Sequence, residues 1–231
     1  MAEIIPAILE SSLEKINERL REIRAEASTV QIDICDGALV PSKTWPYGSK
    51  DQQKEFEQIS KEEGSLPFWE AFDFEADLMV GNPRTSAPEW VSAGVSRVVI
   101  HIESASAQDA LRELQEMRNG ELGVKLGIGI PSGARAEDVD PFMGLCDYIQ
   151  VMGIATIGFQ GQPFDRKAVE LIRALRVKYP DRTIQVDGGV TREHVRELAQ
   201  AGATRLIVGS AIFKSADPRA ALRELRSVAE L

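Results

Sequence analysis

Acidic side chains recur in this chain at the ends of short apolar runs. Asp33 lies in Gln31-Ile32-Asp33-Ile34-Cys35-Asp36-Gly37, Asp77 in Asp77-Leu78-Met79-Val80, Glu103 in His101-Ile102-Glu103 and Asp187 in Asp187-Gly188-Gly189. Carboxylates brought to one place repel one another, and that costs stability unless a cation or a shared proton offsets it. Glycines follow the same runs: Gly158-Phe159-Gln160-Gly161, Gly188-Gly189 and Gly209-Ser210. Glycine lets backbone N–H groups approach an anion closely, and a helix N-terminus adds a favourable dipole. The pattern predicts an acid/base or metal centre beside a phosphate site.

The elements that must position these groups alternate from one end of the chain to the other. Strands are expected over 4–9, 30–34, 72–80, 97–100, 124–130, 148–152, 183–186 and 205–208. Helical spacing separates them, as in Leu13, Ile16, Leu20 and Ile23 after Ser12, or Leu222, Leu225 and Val228 after Asp217-Pro218. A further helix carries Leu111 and Leu114, one after Asp165 carries Val169, Ile172 and Leu175, and one between Thr191 and Gly202 carries Val195 and Leu198. Pro88 is read as opening a short helix before Gly94. The polar stretch 42–67 is either a lid over the mouth or a solvated helix with a loop on each side.

Eight strand–helix units predict an α/β fold, a single (β/α)8 TIM barrel over residues 1–231. A doubly wound open sheet is the competing architecture. It is disfavoured because no G-x-G-x-x-G follows the first strand. In such a barrel the site lies at the C-terminal strand ends, and the loops after strands seven and eight frequently hold phosphate.

Composition narrows the partners. The 231 residues carry a net charge of −9, which disfavours nucleic acid and anionic membrane surfaces. No apolar stretch approaches the ~18 residues of a membrane span. The first residues lack the basic and apolar regions of a signal peptide. Two cysteines, Cys35 and Cys146, make no disulfide framework, so a cytoplasmic location is expected.

The run Asp33-Ile34-Cys35-Asp36-Gly37-Ala38-Leu39-Val40-Pro41 resembles the D-x-M-D-G-x-F-V-P motif of ribulose-phosphate 3-epimerases. Leu78-Met79-Val80 with Asn82-Pro83, Val99-Ile100-His101-Ile102-Glu103, Gly158 to Phe164, Val186-Asp187-Gly188-Gly189 and Val208 to Phe213 match further motifs of that family in order. The resemblance runs from Pro6 to Phe213 and implies the same barrel. It implies inversion of a carbon next to a ketone by two carboxylates through an enediolate, here Asp33 and Asp187. It implies D-ribulose 5-phosphate and D-xylulose 5-phosphate as the ketose phosphates, with a six-carbon ketose phosphate as the alternative. Gly158, Gly161, Gly188, Gly189, Gly209 and Ser210 would hold the phosphorylated sugar, Met79 and Met152 would cover the centre, and the chain would form a homo-oligomer.

The family's divalent metal is held by two histidines and the two aspartates. Here the histidine positions are Gln31 and Asp77, a methionine is Cys35, and the serine after the first-strand proline is Ala7. Ile130 and Gly133 replace an asparagine and a threonine. The set Gln31, Asp33, Asp77 and Asp187 is all oxygen, which suits Mg²⁺ or Mn²⁺ better than Zn²⁺. A metal-free site is the other reading, with Gln31 and Asp77 as polar groups at the mouth. A second function stays open beside the epimerase: a degenerate homologue that binds a phosphosugar without turnover, favoured by Gln31, Asp77 and Ala7 and opposed by the intact aspartate pair. His101 and Glu103 either serve the site from one face of the strand, or His101 is an imidazole hydrogen-bonded inside the barrel. His194 is expected on an exposed helix surface. Lys125 falls too early in its strand to form a Schiff base, and the D-x-K-x-x-D signature of related decarboxylases is absent.

Overall fold

A computed structural model describes residues 2–118 and 123–230. Eight parallel strands close on one another in chain order: β1 Glu3–Ile8, β2 Thr29–Cys35, β3 Asp73–Met79, β4 Arg97–His101, β5 Lys125–Ile130, β6 Tyr148–Met152, β7 Thr183–Asp187 and β8 Arg205–Val208. β1 pairs with both β2 and β8, so the sheet has no free edge. This is the (β/α)8 barrel that the alternating pattern predicts, and the open sheet is excluded.

Strand alternation sorts the side chains into two layers. Val30, Ile32, Ile34, Phe74, Ala76, Leu78, Val98 and Ile100 point outward and join one contiguous apolar core with the helices. The inward positions of the same strands are polar: Gln31, Asp33, Glu75, Asp77 and His101, with Gln150, Gln185, Asp187 and Arg205 from β6, β7 and β8, all buried. Barrel interiors are more commonly filled by branched apolar residues. Here the apolar groups away from the main core are few among the described residues: Ile5, Ala7 and Ile207 form one small cluster, and Cys35, Val40 and Met79 another.

The helices α1 Leu13–Ile23, α2 Lys50–Ser60, α3 Pro83–Ser92, α4 Ala107–Arg118, α5 Lys167–Lys178, α6 Arg192–Ala201, α7 Ser210–Phe213 and α8 Pro218–Ala229 surround the barrel. A 3₁₀ segment, Ala136–Phe142, stands where β5 would otherwise lead into an α-helix. The hydroxyls of Ser12 and Ser49 accept from the N–H groups of Lys15 and Gln52, and the Asp217 carboxylate accepts from that of Ala220, each satisfying a donor of the first turn.

One expectation changes, and one pair of alternatives is decided. α3 begins at Pro83, not Pro88, which lies inside it. Pro83 occupies a first-turn position where a missing N–H costs little. Pro88 forgoes an interior hydrogen bond, and burial of Ala87, Trp90 and Val91 offsets this. Trp90 packs on Trp45 and Phe56, with ring centroids 5.7 and 4.4 Å away. The same contacts decide the stretch 42–67. Phe56 and Ile59 bury one face of α2, and the Trp45 indole donates to Glu55 at 2.7 Å. α2 is therefore a member of the outer ring, flanked by loops, and not a lid. Among the described residues no helix is long and apolar enough to cross a membrane. Cys35 and Cys146 are buried free thiols.

Candidate active site

The strand register builds the centre. Asp33 on β2 is the direct partner of Asp77 on β3, and Gln31 is the partner of Glu75 one layer below. Asp187 ends β7 beside Met152 and Ile207. Oxygen atoms of Asp33, Asp77 and Asp187 all lie within 4.8 Å of one another. The Gln31 amide nitrogen donates to Asp33 Oδ1 at 2.8 Å and to Asp187 Oδ2 at 2.7 Å, bridging strands 156 residues apart in sequence. His101 Nε2 lies 2.8 Å from Asp77 Oδ1. The ring has room because β5 carries Gly129 beside it: a Cβ there would meet His101 Nδ1 at 2.9 Å.

Burial and mutual repulsion govern the protons. Asp33 is held well above the usual carboxylate range by desolvation and by the charges of Asp187 and Asp77, against the Gln31 hydrogen bond. Asp187 is pushed up to about 8 by desolvation and Asp77, against Gln31 and His101. Burial disfavours the charged form of His101. The Asp77 carboxylate, by charge and hydrogen bond, more than offsets that, so the imidazole is raised above its ordinary value. Asp77 Oδ2 is buried with no hydrogen-bond partner among the described residues. A buried acceptor left unpaired is costly, and a cation or a substrate hydroxyl is what satisfies it.

Above the carboxylates lies a pocket of about 460 Å³, counting the solvent at its mouth. Ala7, Asp33, Asp187, Met79 and Met152 form its base, and Gly158, Gly161, Gly188, Gly189, Gly209 and Ser210 its wall. Gly188 adopts φ +104°, where a side chain is strained, and a Cβ there would press on Ile154 at 2.7 Å. The loop after β6 is tied down at two points: Ser42 Oγ donates to the Gly158 carbonyl at 2.7 Å, and Gln160 Nε2 to the Ala7 carbonyl at 3.1 Å. The Lys214 ammonium reaches the same loop, 2.9 Å from where a Cβ of Gly161 would stand.

Known proteins share this arrangement of chain. Residues 3–213 match the model of the ribulose-phosphate 3 epimerase family. The chain belongs to the ribulose-phosphate 3-epimerase family. A ribulose-phosphate 3-epimerase of Aquifex aeolicus is 30% identical, over 99% of this chain and 97% of that protein. The cytoplasmic isoform from Oryza sativa subsp. japonica is 31% identical, over 99% of this chain and 95% of its own length. Among solved structures, 3-hexulose-6-phosphate synthase from Salmonella typhimurium superposes with a TM-score of 0.68 at 16% identity, covering 99% of this chain and 98% of that one, a likeness of fold.

Within this family member the sequence-expected residues largely converge. Asp33, Asp77, Asp187 and Gln31 meet at the centre, and Met79, Met152 and the six glycine-loop residues meet around the pocket. Gln31 arrives in a different capacity from the ligand expected of it. Its N–H groups face the carboxylates, and its oxygen accepts from Gln185 at 3.2 Å. Glu103 does not join the site. β4 stops at His101, so alternation no longer applies, and Glu103 is exposed. His101 is the buried, hydrogen-bonded imidazole of the second reading, with Asp77 as its partner. His194 is half-buried, stacked on Phe164 at 4.4 Å, and not freely exposed. Lys125 is exposed at the start of β5, away from the pocket. The Cys35 thiol packs with Val40 and Met79, and burial pushes it up to about 12. Gln160 and Lys214 also reach the site without a sequence signal of their own. Gln160 lies within the Gly158-Phe159-Gln160-Gly161 run, whereas nothing local marks Lys214.

Three buried carboxylates, with Asp77 Oδ2 fully buried and unpartnered among the described residues, fit a hard divalent cation. The donors are oxygen only, so a thiophilic or imidazole-preferring ion is not what they match.

Proposed function

We propose that this chain interconverts D-ribulose 5-phosphate and D-xylulose 5-phosphate by proton transfer at C3. The observation that carries this reading is the pairing of Asp33 on β2 and Asp187 on β7, bridged by Gln31 at the base of a glycine-walled pocket. Inversion needs one carboxylate to accept the C3 proton and one carboxylic acid to return a proton to the other face. The electron pair released at C3 moves onto the C2 carbonyl oxygen and gives an enediolate; on reprotonation it returns to C3. Burial and mutual repulsion raise both carboxyls, which favours a proton shared between the two, the state in which one serves as acid and the other as base. Each turnover exchanges their roles.

Asp33, Asp77 and Asp187 would hold a divalent cation, Mg²⁺ or Mn²⁺ by the hardness of the donors, with His101 orienting Asp77. When bound, such a cation supplies positive charge to the developing enediolate oxygens. The phosphate is assigned to the backbone of Gly188, Gly189, Gly209 and Ser210, with Gly158 and Gly161 closing over it and Lys214 adding a cation. Met79 and Met152 bury the sugar's apolar edge. A cytoplasmic location is supported by the two free thiols, and a homo-oligomer by the family resemblance.

Purified protein given D-ribulose 5-phosphate with Mg²⁺ or Mn²⁺ is expected to form D-xylulose 5-phosphate, and chelator is expected to stop it. Tight phosphosugar binding without product, under every divalent ion tried, would replace this reading with that of a non-catalytic binding protein. Ala7, Gln31 and Asp77 are the departures that favour that alternative.

A further inference from the structure

The barrel interior below the aspartates holds a chain of hydrogen bonds whose sense is fixed at both ends. At the floor, Arg205 on β8 is buried and donates through Nη1 to Gln185 Oε1 and, at 2.7 Å, to Glu75 Oε2. Its Nε also reaches Glu3 at 3.3 Å. Gln185 on β7 then donates through Nε2 to Gln31 Oε1 at 3.2 Å, to Gln150 Oε1 at 2.6 Å and to Glu75 Oε1. Gln31 completes the path by donating to Asp33 and Asp187.

A glutamine amide can turn end for end at little cost in shape, so something must decide which end points where. A guanidinium has donors and no acceptor. Arg205 therefore admits only the Gln185 oxygen. That commits the Gln185 nitrogen to the interior, where Gln31 must present its oxygen. The Gln31 nitrogen is left facing the two carboxylates, which accept. Turning Gln31 alone would set its oxygen against two carboxylates and its nitrogen against that of Gln185. Turning both amides would set the Gln185 nitrogen against Arg205.

We propose that Arg205 is a positioning residue for the reaction: through Gln185 it fixes the orientation of the Gln31 amide, which pins one oxygen of Asp33 and one of Asp187. The remaining oxygens are thereby turned toward the pocket. Arg205 touches neither substrate nor the reacting atoms and acts only through the amides. The catalytic half of this inference rests on the epimerase reading above. The orientation of Gln31 does not.

The test replaces the floor ion pair as a unit, Arg205→Met with Glu75→Met, because exchanging a buried pair for apolar residues of similar size commonly preserves folding. A second variant, Gln185→Met, cuts the path one step higher. The protein is labelled with ¹⁵N, and the Gln31 side-chain amide signals are assigned by their disappearance in Gln31→Met. Both test variants are expected to shift those signals and to speed their exchange with solvent at least ten-fold. For D-ribulose 5-phosphate, kcat is expected to fall at least ten-fold with KM within two-fold. Folded variants whose Gln31 signals stay in place would overturn the proposal. So would shifted signals with kcat unchanged. If the wild-type protein has no turnover, the epimerase reading fails on its own, and the amide signals still decide whether Arg205 orients Gln31.

Discussion

Removing all divalent cations should make this protein lose stability as pH rises from about 4 to 8, the reverse of the usual trend for carboxylates. The reason lies in the three aspartates. At the 4.8 Å limit of their oxygen separations, two ionised carboxylates repel by about 3.5 kcal/mol at an effective dielectric of about 20. Three such pairs approach the whole stability of a domain, ~5–15 kcal/mol. The cation-free centre therefore keeps protons that the unfolded chain has already released. Asp187 moves from an ordinary value of 3.8 to about 8, with Asp33 raised beside it. Between those pH values the folded state binds more protons than the unfolded state, so unfolding free energy falls with pH by about 1.4 kcal/mol per unit for each such proton. For Asp187 alone the total is bounded by about 6 kcal/mol. His101, raised above 6.5, acts in the same direction above that pH. The surface acids whose values are lowered, such as Asp138, Asp140 and Glu57, act in the opposite direction, but only at the acid edge of this window, where the unfolded chain releases its last carboxyl protons. Urea unfolding in chelator at half-unit pH steps reads the effect. Saturating Mg²⁺ or Mn²⁺ should flatten the fall and release protons on binding. Stability that climbs from pH 4 to 8 in chelator would refute the reasoning.

Other substitutions separate the parts of the site. Asp33→Asn and Asp187→Asn should each lower kcat by about 10² to 10⁴, the range of one acid/base group, while phosphosugar affinity measured by calorimetry changes little. Gly129→Ala drives a Cβ into the His101 ring and should lower both thermal stability and kcat, read by melting and steady-state assay. Lys214→Ala should raise KM several-fold and leave kcat within two-fold, because Lys214 reaches only the glycine loop.

Much of the fold is legible because the outward strand faces are near-continuous apolar runs and the turns between units carry their own signals. β6 and β8 match the expected bounds, and β7 differs only by Asp187, the residue at its functional end. α3 is misplaced because proline is a strong local stop signal, and only the distant partners Trp45 and Phe56 show that the turn around it is buried. α2 is ambiguous for the same reason: Phe56 and Ile59 are sparse apolar residues in a charged stretch. In the site, residues are legible by type, since Asp33, Asp77 and Asp187 stand at strand ends. Roles that depend on direction are not. Nothing near Gln31 in the sequence says that its nitrogen faces the aspartates, because its partners Gln185 and, beyond it, Arg205 lie more than 150 residues away in the chain. Glu103 shows the converse: strand alternation holds only to His101, where β4 ends, and says nothing of a residue two positions further on.

The central claim is that Asp33 and Asp187 exchange the C3 proton of a ketose phosphate with solvent from opposite faces. Incubation with D-ribulose 5-phosphate in heavy water, with Mg²⁺ or Mn²⁺ present, followed by NMR at C3, tests it most directly. The expected result is deuterium at C3 of D-xylulose 5-phosphate, and none in either Asp→Asn variant. Unexchanged protium at C3 of the substrate, with no epimer formed under either cation, would contradict it.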